Sequence, residues 1–431
     1  MPEAQNDDAI REDQIKRLVK QFEITLRKRL KNGVRPLHEI EQEVEEIGET
    51  VKETITRDVI DALGNGYRTS RALCECGNLA KYGGDRNRAM VTLHGDVSFC
   101  RSYYYCCDCK EGFCPLDCDL RIGAGRVSGS VQALIARFCS YLPFEMAGKE
   151  LEEVCGIELS TTTIQRYAKR MGDRIGREWD CLLAQVRAEQ APPSGLRPKR
   201  LYESMDGVKV HIGGNWRDVK LGVAYHRSPK GIVNRTAYYG STEHSRDFGP
   251  RMLALGHRLG ADCCSDIEVV ADGAEWIWQE TGKYQPRSVQ VLDYYHLTEH
   301  LWEAANARFK PQTAEGRQWI TLQEGRLLAD EADLVIQDVR DWRPRKKASI
   351  EIRRKLIAYM LTHRHRMNYQ SLRAKGYDIG SGIMEASCKT VVKSRMSAAG
   401  MRWEEPGANA VLNLSTHWRT THNPGFLKYA N

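Results

Sequence analysis

Eight of the chain's 14 cysteines fall between Cys74 and Cys118, and no other feature limits the fold so tightly. A disulfide scaffold of that density belongs to short exported chains. This chain has 431 residues and opens on the acidic, polar stretch MPEAQNDDAI, which reads as neither a secretory nor a mitochondrial leader. In a reducing compartment such a cluster binds metal. The order is CECG (Cys74, Cys76), a hairpin-like stretch, then CCDCKEG (Cys106, Cys107, Cys109). Between them Val91, Leu93, Val97 and Phe99 alternate with more polar residues around a His-Gly-Asp turn, and Tyr103 and Tyr105 continue the alternation. Two thiolate knuckles at the ends of a β-hairpin are the layout of a zinc ribbon, in which four thiolates close a tetrahedral structural site. The expected zinc ligands are Cys74, Cys76, Cys106 and Cys109, with Cys107, Cys114 and Cys118 as substitutes. The first pair is C-x-C and departs from the usual C-x2-C.

Helical patterns precede the cluster. Ile15, Leu18, Val19, Phe22, Leu26 and Leu30 recur at 3–4 spacing, and Asn32-Gly33 with Pro36 interrupts them. Leu37, Ile40, Val44, Ile47, Val51, Ile55, Val59 and Leu63 then form a stripe at near-heptad spacing. That stripe suits either an antiparallel hairpin on the same chain or a dimerisation surface. No apolar run approaches the roughly 20 residues that span a bilayer, so a soluble, intracellular protein is expected.

After the cluster, residues 128–175 read as short helices with tight breaks. FEMAGKELEEVC turns at Gly156 into IELSTTTIQRYAKRMG, with Ser160 or Thr161 as an N-cap. The last helix would expose Thr162, Gln165, Arg166, Lys169 and Arg170. Such a face fits a DNA groove in a helix-turn-helix, or plain packing with a solvated outer side. AEQAPPSGLRPKR (188–200) marks a linker. Three consecutive strand segments follow, LYESMDGVKVHI, DVKLGVAYH and GIVNRTAYYGS, and then a helix over residues 245–260. The strands DIEVVADG and SVQVLDYYH flank a short helix, EWIWQETG. From Tyr294 to Lys375 the pattern is helical, and GSGIMEASCKTVVKSRM reads as a helix opening after glycines. Strands first, then alternating strands and helices, predict a mixed α/β sheet.

The formal charge of +7 is unevenly spread: residues 340–375 hold 12 Lys/Arg against two acids. That segment, with Arg345, Lys346 and Lys347 at its start, points to a polyanionic partner. Two aspartates, Asp206 in SMDGVKV and Asp272 in VVADGAEW, each precede a glycine at a strand. Carboxylates on neighbouring strands, joined by a third, can hold two Mg²⁺ ions for phosphodiester chemistry. The third candidate is Glu385, which shares a helix face with Lys389 and Lys393. Taken singly, each acid is equally compatible with a turn or an exposed helix.

SMDGVKV, VVADGAEWIW, VLDYYHLTEHLW, GSGIMEASCKTVV and GMRWEEPGANAVLNL, in this order, resemble the DDE transposases of bacterial insertion sequences, in particular the ISKra group, which is related to the Mutator-like transposases. The CECG…YYYCCDC block resembles the N-terminal region of that group, and the likeness covers about residues 70–425. It implies an RNase H-like catalytic core whose Asp-Asp-Glu triad falls on Asp206, Asp272 and Glu385. It further implies a Cys- or Asp-x2-His signature, matched by Asp293-Tyr-Tyr-His296, and an all-helical insertion before the glutamate. The implied cofactors are two Mg²⁺ ions per site, replaceable by Mn²⁺. The implied activity is cleavage at the element's ends and strand transfer into target DNA. His296 would orient the scissile phosphate or a bound water, Lys389, Lys393 and Arg395 would contact phosphates, and Trp276 and Trp278 would stack on an unpaired base.

The expected architecture is thus multidomain α+β. N-terminal helices (1–72) precede a zinc-ribbon-like module (73–123), a helix-turn-helix domain (124–187) and a linker (188–199). The RNase H-like core (200–299 and 376–431) is split by the helical insertion (300–375). The expected partner is double-stranded DNA, bound by a homodimer or higher oligomer in a prokaryotic cytoplasm at the nucleoid, with no membrane. Two other functions fit the same residues: a non-catalytic zinc-containing DNA-binding regulator, and a structure-specific RNase H-like nuclease.

Overall fold

The computed structural model describes residues 34–430 and scattered helical positions between 16 and 27. Ile15, Leu18, Leu26 and Leu30 of the first expected stripe lie outside the described residues. The chain forms two compact units and is a mixture of helices and two sheets. Among the described residues no helix is long and apolar enough to cross a membrane.

The first unit comprises residues 1–135, 145–161 and 426–431. Its centre is an antiparallel sheet ordered β1 (Arg71–Leu73), β2 (Leu79–Thr92), β3 (Gly95–Tyr105) and β4 (Gly112–Phe113). β2 and β3 make a long hairpin, in register from Lys81↔Tyr105 to Thr92↔Gly95, with a bulge between Tyr82 and Asp85. Period-two alternation puts Met90, Val97 and Phe99 on one side, where they bury against Leu116 and Ile60. Leu116 belongs to α2 (Pro115–Asp119) and Ile60 to α1 (Leu37–Ala62). The stripe predicted along α1 divides: Ile47 is buried, whereas Leu37, Val44, Ile55, Val59 and Leu63 are exposed. α3 (Gly129–Cys139) and α4 (Phe144–Cys155) follow.

The second unit comprises residues 136–144 and 162–425. Its sheet is ordered β7 (Val233–Ser241), β6 (Asn215–Arg227), β5 (Leu201–Ile212), β8 (Ile267–Ala271) and β9 (Val289–Leu292). β6 runs antiparallel to both β7 and β5, and β8 and β9 run parallel to β5. α6 (Ser245–Arg258) carries the chain from β7 to β8, and α7 (Glu275–Tyr284) from β8 to β9. Between β9 and the glutamate lie only helices: α8 (Tyr294–Arg308), α9 (Ala314–Leu327), α10 (Ala332–Asp341), α11 (Lys347–His363) and α12 (Tyr369–Ala374). α13 (Gly382–Ser387) then runs into a π-helical turn over Cys388–Lys393, and α14 (Glu405–Arg419) follows. The core of this unit joins Val208, Val210, Val219, Leu221 and Val223 of the sheet to Met384, Cys388, Val391, Val392 and Leu412. Each such side chain contributes about 1.5–3 kcal/mol on burial.

The division between the units differs from the expected boundaries. It falls between α4 and α5 (Thr161–Arg187), where a single helix-turn-helix domain was expected. The reason is the apolar stripe of α5, which runs through Ile164, Tyr167, Met171, Ile175, Trp179 and Leu183. Gly172 lets the helix approach α14 so closely that a β-carbon there would sit 2.2 Å from the Ala410 carbonyl oxygen. Asn413 also donates to the Gly172 carbonyl at 3.1 Å. The segment expected as a linker is pinned to the same unit. Ser194 donates to Asp262 at 2.9 Å and His257 meets the Pro192 carbonyl at 2.9 Å.

Candidate functional site

The cysteine site is built by two turns at the base of the long hairpin. One joins β1 to β2, where the Gly77 amide donates to the Cys74 carbonyl at 2.9 Å. The other joins β3 to β4, where the Cys106 amide donates to the Glu111 carbonyl at 2.9 Å. The sulfurs of Cys74, Cys76, Cys106 and Cys109 all lie within 4.8 Å of one another, and these four cysteines could hold a metal ion. The Cys74–Cys109 and Cys76–Cys106 separations are 3.6 and 3.7 Å. A tetrahedral zinc with Zn–S of about 2.3 Å has edges of about 3.8 Å, close to these two separations. The Asn78 amide, first among several influences, draws the Cys76 thiol down to about 7. At Cys109 the Glu111 amide also acts to lower the thiol, but burial and the three neighbouring thiols outweigh it and push the thiol up to about 12.

The acids lie on the second sheet. β5 and β8 pair up to Glu203↔Val269, and β8 and β9 up to Ala271↔Leu292. Continuing those registers sets Asp206, midway along β5, level with Asp272 just past the end of β8, and Asp272 level with Asp293 just past the end of β9, on one face of three parallel strands. Ser204 bridges the point where β5 and β8 part, its hydroxyl donating to the Val270 carbonyl at 2.6 Å. The C-terminal ends of parallel strands are where open α/β sheets bind ligands.

Asp206 accepts from the Gly207 amide at 2.6 Å and from the Cys388 thiol at 3.4 Å. Its carboxyl is raised above the ordinary value by burial first; the Gly207 amide opposes this, and the charge of Asp272 adds to it. Asp272 accepts from the Ala274 amide at 2.9 Å, and its carbonyl takes the Trp278 indole N–H at 2.8 Å. Glu385 is 70% exposed and pairs with Lys389 at 2.6 Å. It stands about one helical turn before Cys388, the residue that donates to Asp206. Among the described residues the three acids do not form a compact ligand group as the four cysteines do.

His296, 40% exposed, lies 3.5 Å from Glu299 and lowers the Asp206 carboxyl from across the site. From it a ladder of rings runs inward: His300 at 4.9 Å, Tyr359 at 4.8 Å from His300, and His363 at 4.9 Å from Tyr359. Burial, then Arg366, lowers His363 to about 4, and burial, then His296, lowers His300. Both stay neutral at physiological pH. Tyr359 packs so tightly on Gly273 that a β-carbon there would fall 1.9 Å from its ring.

Several expected residues are exposed. They include Gln165, Arg166, Lys169 and Arg170 on α5, Arg345, Lys346 and Lys347 at the entry to α11, and Lys393 on the π-helical turn. Lys169 is engaged by Asp173 at 2.7 Å. Arg395 is a correction. It is fully buried, donates to the Cys139 carbonyl at 2.7 Å, and lies between Phe144 and Trp403, so it cannot meet a phosphate. Trp278 is likewise committed, buried and bonded to Asp272, and Trp276 packs edge-on to Phe248 rather than standing free for a base.

One contributor escaped the sequence reading, and another, already placed there in the Asp-x2-His signature, does more than that signature implies. Cys388 donates to Asp206, and nothing in its spacing signals that. Asp293 accepts from the Tyr295 and His296 amides at 2.7 and 3.1 Å, and from the Ser381 amide at 2.8 Å and its hydroxyl. Its capping of α8 was readable as an Asp before a helix; its grip on the loop before Glu385 was not.

A protein of Streptococcus gallolyticus described as "UPF0236 protein in vanSb 3'region" is 24% identical over 353 residues, spanning 77% of this chain and 73% of the relative. The model of the uncharacterised protein family UPF0236 matches residues 29–420, and the chain belongs to that family.

Proposed function

We propose that this protein is a DDE-type DNA transposase, which cleaves the ends of its own element and transfers the freed strand into target DNA. The observation that carries the reading is the level pair Asp206 and Asp272, on one face of adjacent parallel strands, with the helix bearing Glu385 packed on β5 through Cys388. The strand order β7-β6-β5-β8-β9, with β6 reversed, also supports an RNase H-like core interrupted by the helices α8 to α12.

The donors fit a divalent cation. The charge of Asp272 repels the buried Asp206 carboxylate, and a positive charge between them would relieve that repulsion. Asp206, Asp272 and Glu385 would hold two Mg²⁺ ions, or Mn²⁺, which when bound activate a water or 3′-hydroxyl and stabilise the departing oxygen. The protein's own groups do the rest. The Gly207 and Ala274 amides fix one oxygen of each aspartate, and Trp278 holds the Asp272 backbone. Glu385 leaves Lys389 and turns toward Asp206, which frees that lysine, with Lys393, for phosphate. His296 orients the scissile phosphate from its exposed edge. The exposed faces of α5 and of Arg345, Lys346 and Lys347 grip duplex DNA, in a dimer or larger assembly at the nucleoid. Zinc at the four cysteines supports the first unit and takes no part in the chemistry.

The test is strand cleavage of a labelled duplex carrying the DNA that flanks the gene, with Mg²⁺ or Mn²⁺. Wild type should nick and join it, and Asp272→Ala or Asp206→Asn should lower the rate by 10³-fold or more, an order of magnitude expected for losing a ligand of the reacting metal. Equal rates in wild type and variants would overturn the proposal. Sequence-selective binding without cleavage would make the protein a regulator. Cleavage of branched DNA irrespective of sequence, without joined products, would make it a nuclease.

A further inference from the structure

At the end of the second sheet opposite the acids lies a cleft of about 880 Å³. Three pieces of chain wall it: residues 196–200 entering β5, the β6–β7 turn, and residues 375–378 leaving the helical insertion. Its lining holds Arg197, Lys199, Arg200, Arg227 and Lys375 against Asp266 and Asp378.

These cations divide into two kinds. Arg200 and Arg227 are fixed. Arg200 bonds Asp266 at 2.8 Å and stacks on Tyr377 at 3.7 Å, and Arg227 bonds Asp378 at 2.5 Å. They neutralise the two aspartates and tie residues 375–378 to the sheet. Arg197, Lys199 and Lys375 stand exposed at the rim, and among the described residues none of the three forms an ion pair. Beneath the floor, Glu268 is fully buried with neither carboxyl oxygen bonded. Burial, with the charge of Asp378, pushes it up to about 8, so it is uncharged at neutral pH and does not cancel the positive rim.

We propose that this cleft is a second nucleic-acid contact, in which Arg197, Lys199 and Lys375 take successive backbone phosphates of a DNA strand. The division of the cations argues for a polymer over a compact polyphosphate. The deep arginines are saturated by aspartates and carbonyls, so no free donors converge on a single point. The free charges are spread along two chain segments, as successive phosphates are. The site is distinct from the acids and does not depend on their chemistry.

The test uses the full chain, a fluorescent duplex oligonucleotide and no divalent cation, so that binding is read without cleavage. The combined variant Arg197→Glu, Lys199→Glu, Lys375→Glu, with an unfolding midpoint equal to wild type, should bind at least ten-fold more weakly. The slope of log affinity against log salt should fall by about 2–3, near one unit for each lost phosphate contact. Unchanged affinity and slope would overturn the proposal. So would inorganic triphosphate displacing the duplex at micromolar concentration from wild type but not from the variant, since the cleft would then be a small-polyphosphate site. Cleft-dependent binding by a protein inert in the cleavage assay would retain this inference while the transposase reading fell.

Discussion

Asp293 shows how much a single carboxylate can organise. One oxygen caps α8 and the other holds Ser381, so the start of the helical insertion and the start of the glutamate helix are referred to the same atoms. The group is buried, and a buried carboxylate left without its donors is costly. Asp293→Ala should therefore destabilise the protein by about 2–3 kcal/mol, combining a lost N-cap with lost charge-assisted bonds. Ser381→Ala should cost about 1 kcal/mol. Because the two share a bond, the double variant should fall short of the sum by about 1 kcal/mol in urea unfolding. Strict additivity would mean that the loop is held by something else.

Elements that answer to a local period were legible in the sequence. The hairpin of the first unit follows alternating residues, and the five strands of the second, several of them buried on both faces, lie on the strand segments read from the sequence. The four converging cysteines were legible for the same reason: short spacings in a turn leave little freedom to the thiols. What was not legible depends on approach between distant segments. The burial of Arg395 is set by Phe144 and Trp403, and the attachment of α5 to the second sheet by α14. The π-helical turn after Glu385 follows from packing Cys388, Val391 and Val392 onto the sheet, and composition does not announce it. The cysteine turns yield the prediction at this scale. The hairpin base has its own small core of Ala72, Ala80 and Tyr104 around Cys74 and Cys106, too little to stand without a staple. Purified protein should carry about one zinc per chain, and a chelator should loosen this base before the second unit melts. Cys106→Ser should lower the zinc content by ten-fold or more in metal analysis. Folded wild type without zinc would remove the metal site.

For the whole molecule, the net charge of +7 matters less than its address. In the basic stretch beginning at Arg340, many cations are already occupied. Arg353 donates to the Val339 carbonyl at 3.1 Å, Arg354 bonds Glu351 at 2.6 Å, and Lys355 lies 3.8 Å from the same carboxylate. Arg366 lies over Trp278 at 4.2 Å and donates to Gln290 at 2.9 Å. Arg345, Lys346 and Lys347 are different: they are exposed where the chain enters α11, and among the described residues none of them forms an ion pair. A cation that is already paired releases little on meeting a phosphate, whereas a free one displaces a condensed counterion from DNA. Neutralising Arg345, Lys346 and Lys347 to Gln should flatten the salt dependence of duplex binding by about 2–3 in the log–log slope. The same change at Arg353, Arg354 and Lys355 should flatten it by less than one. Equal effects in the two triples, measured by anisotropy across a salt series, would show that only the summed charge matters and that pairing within the protein does not select the DNA-contacting residues.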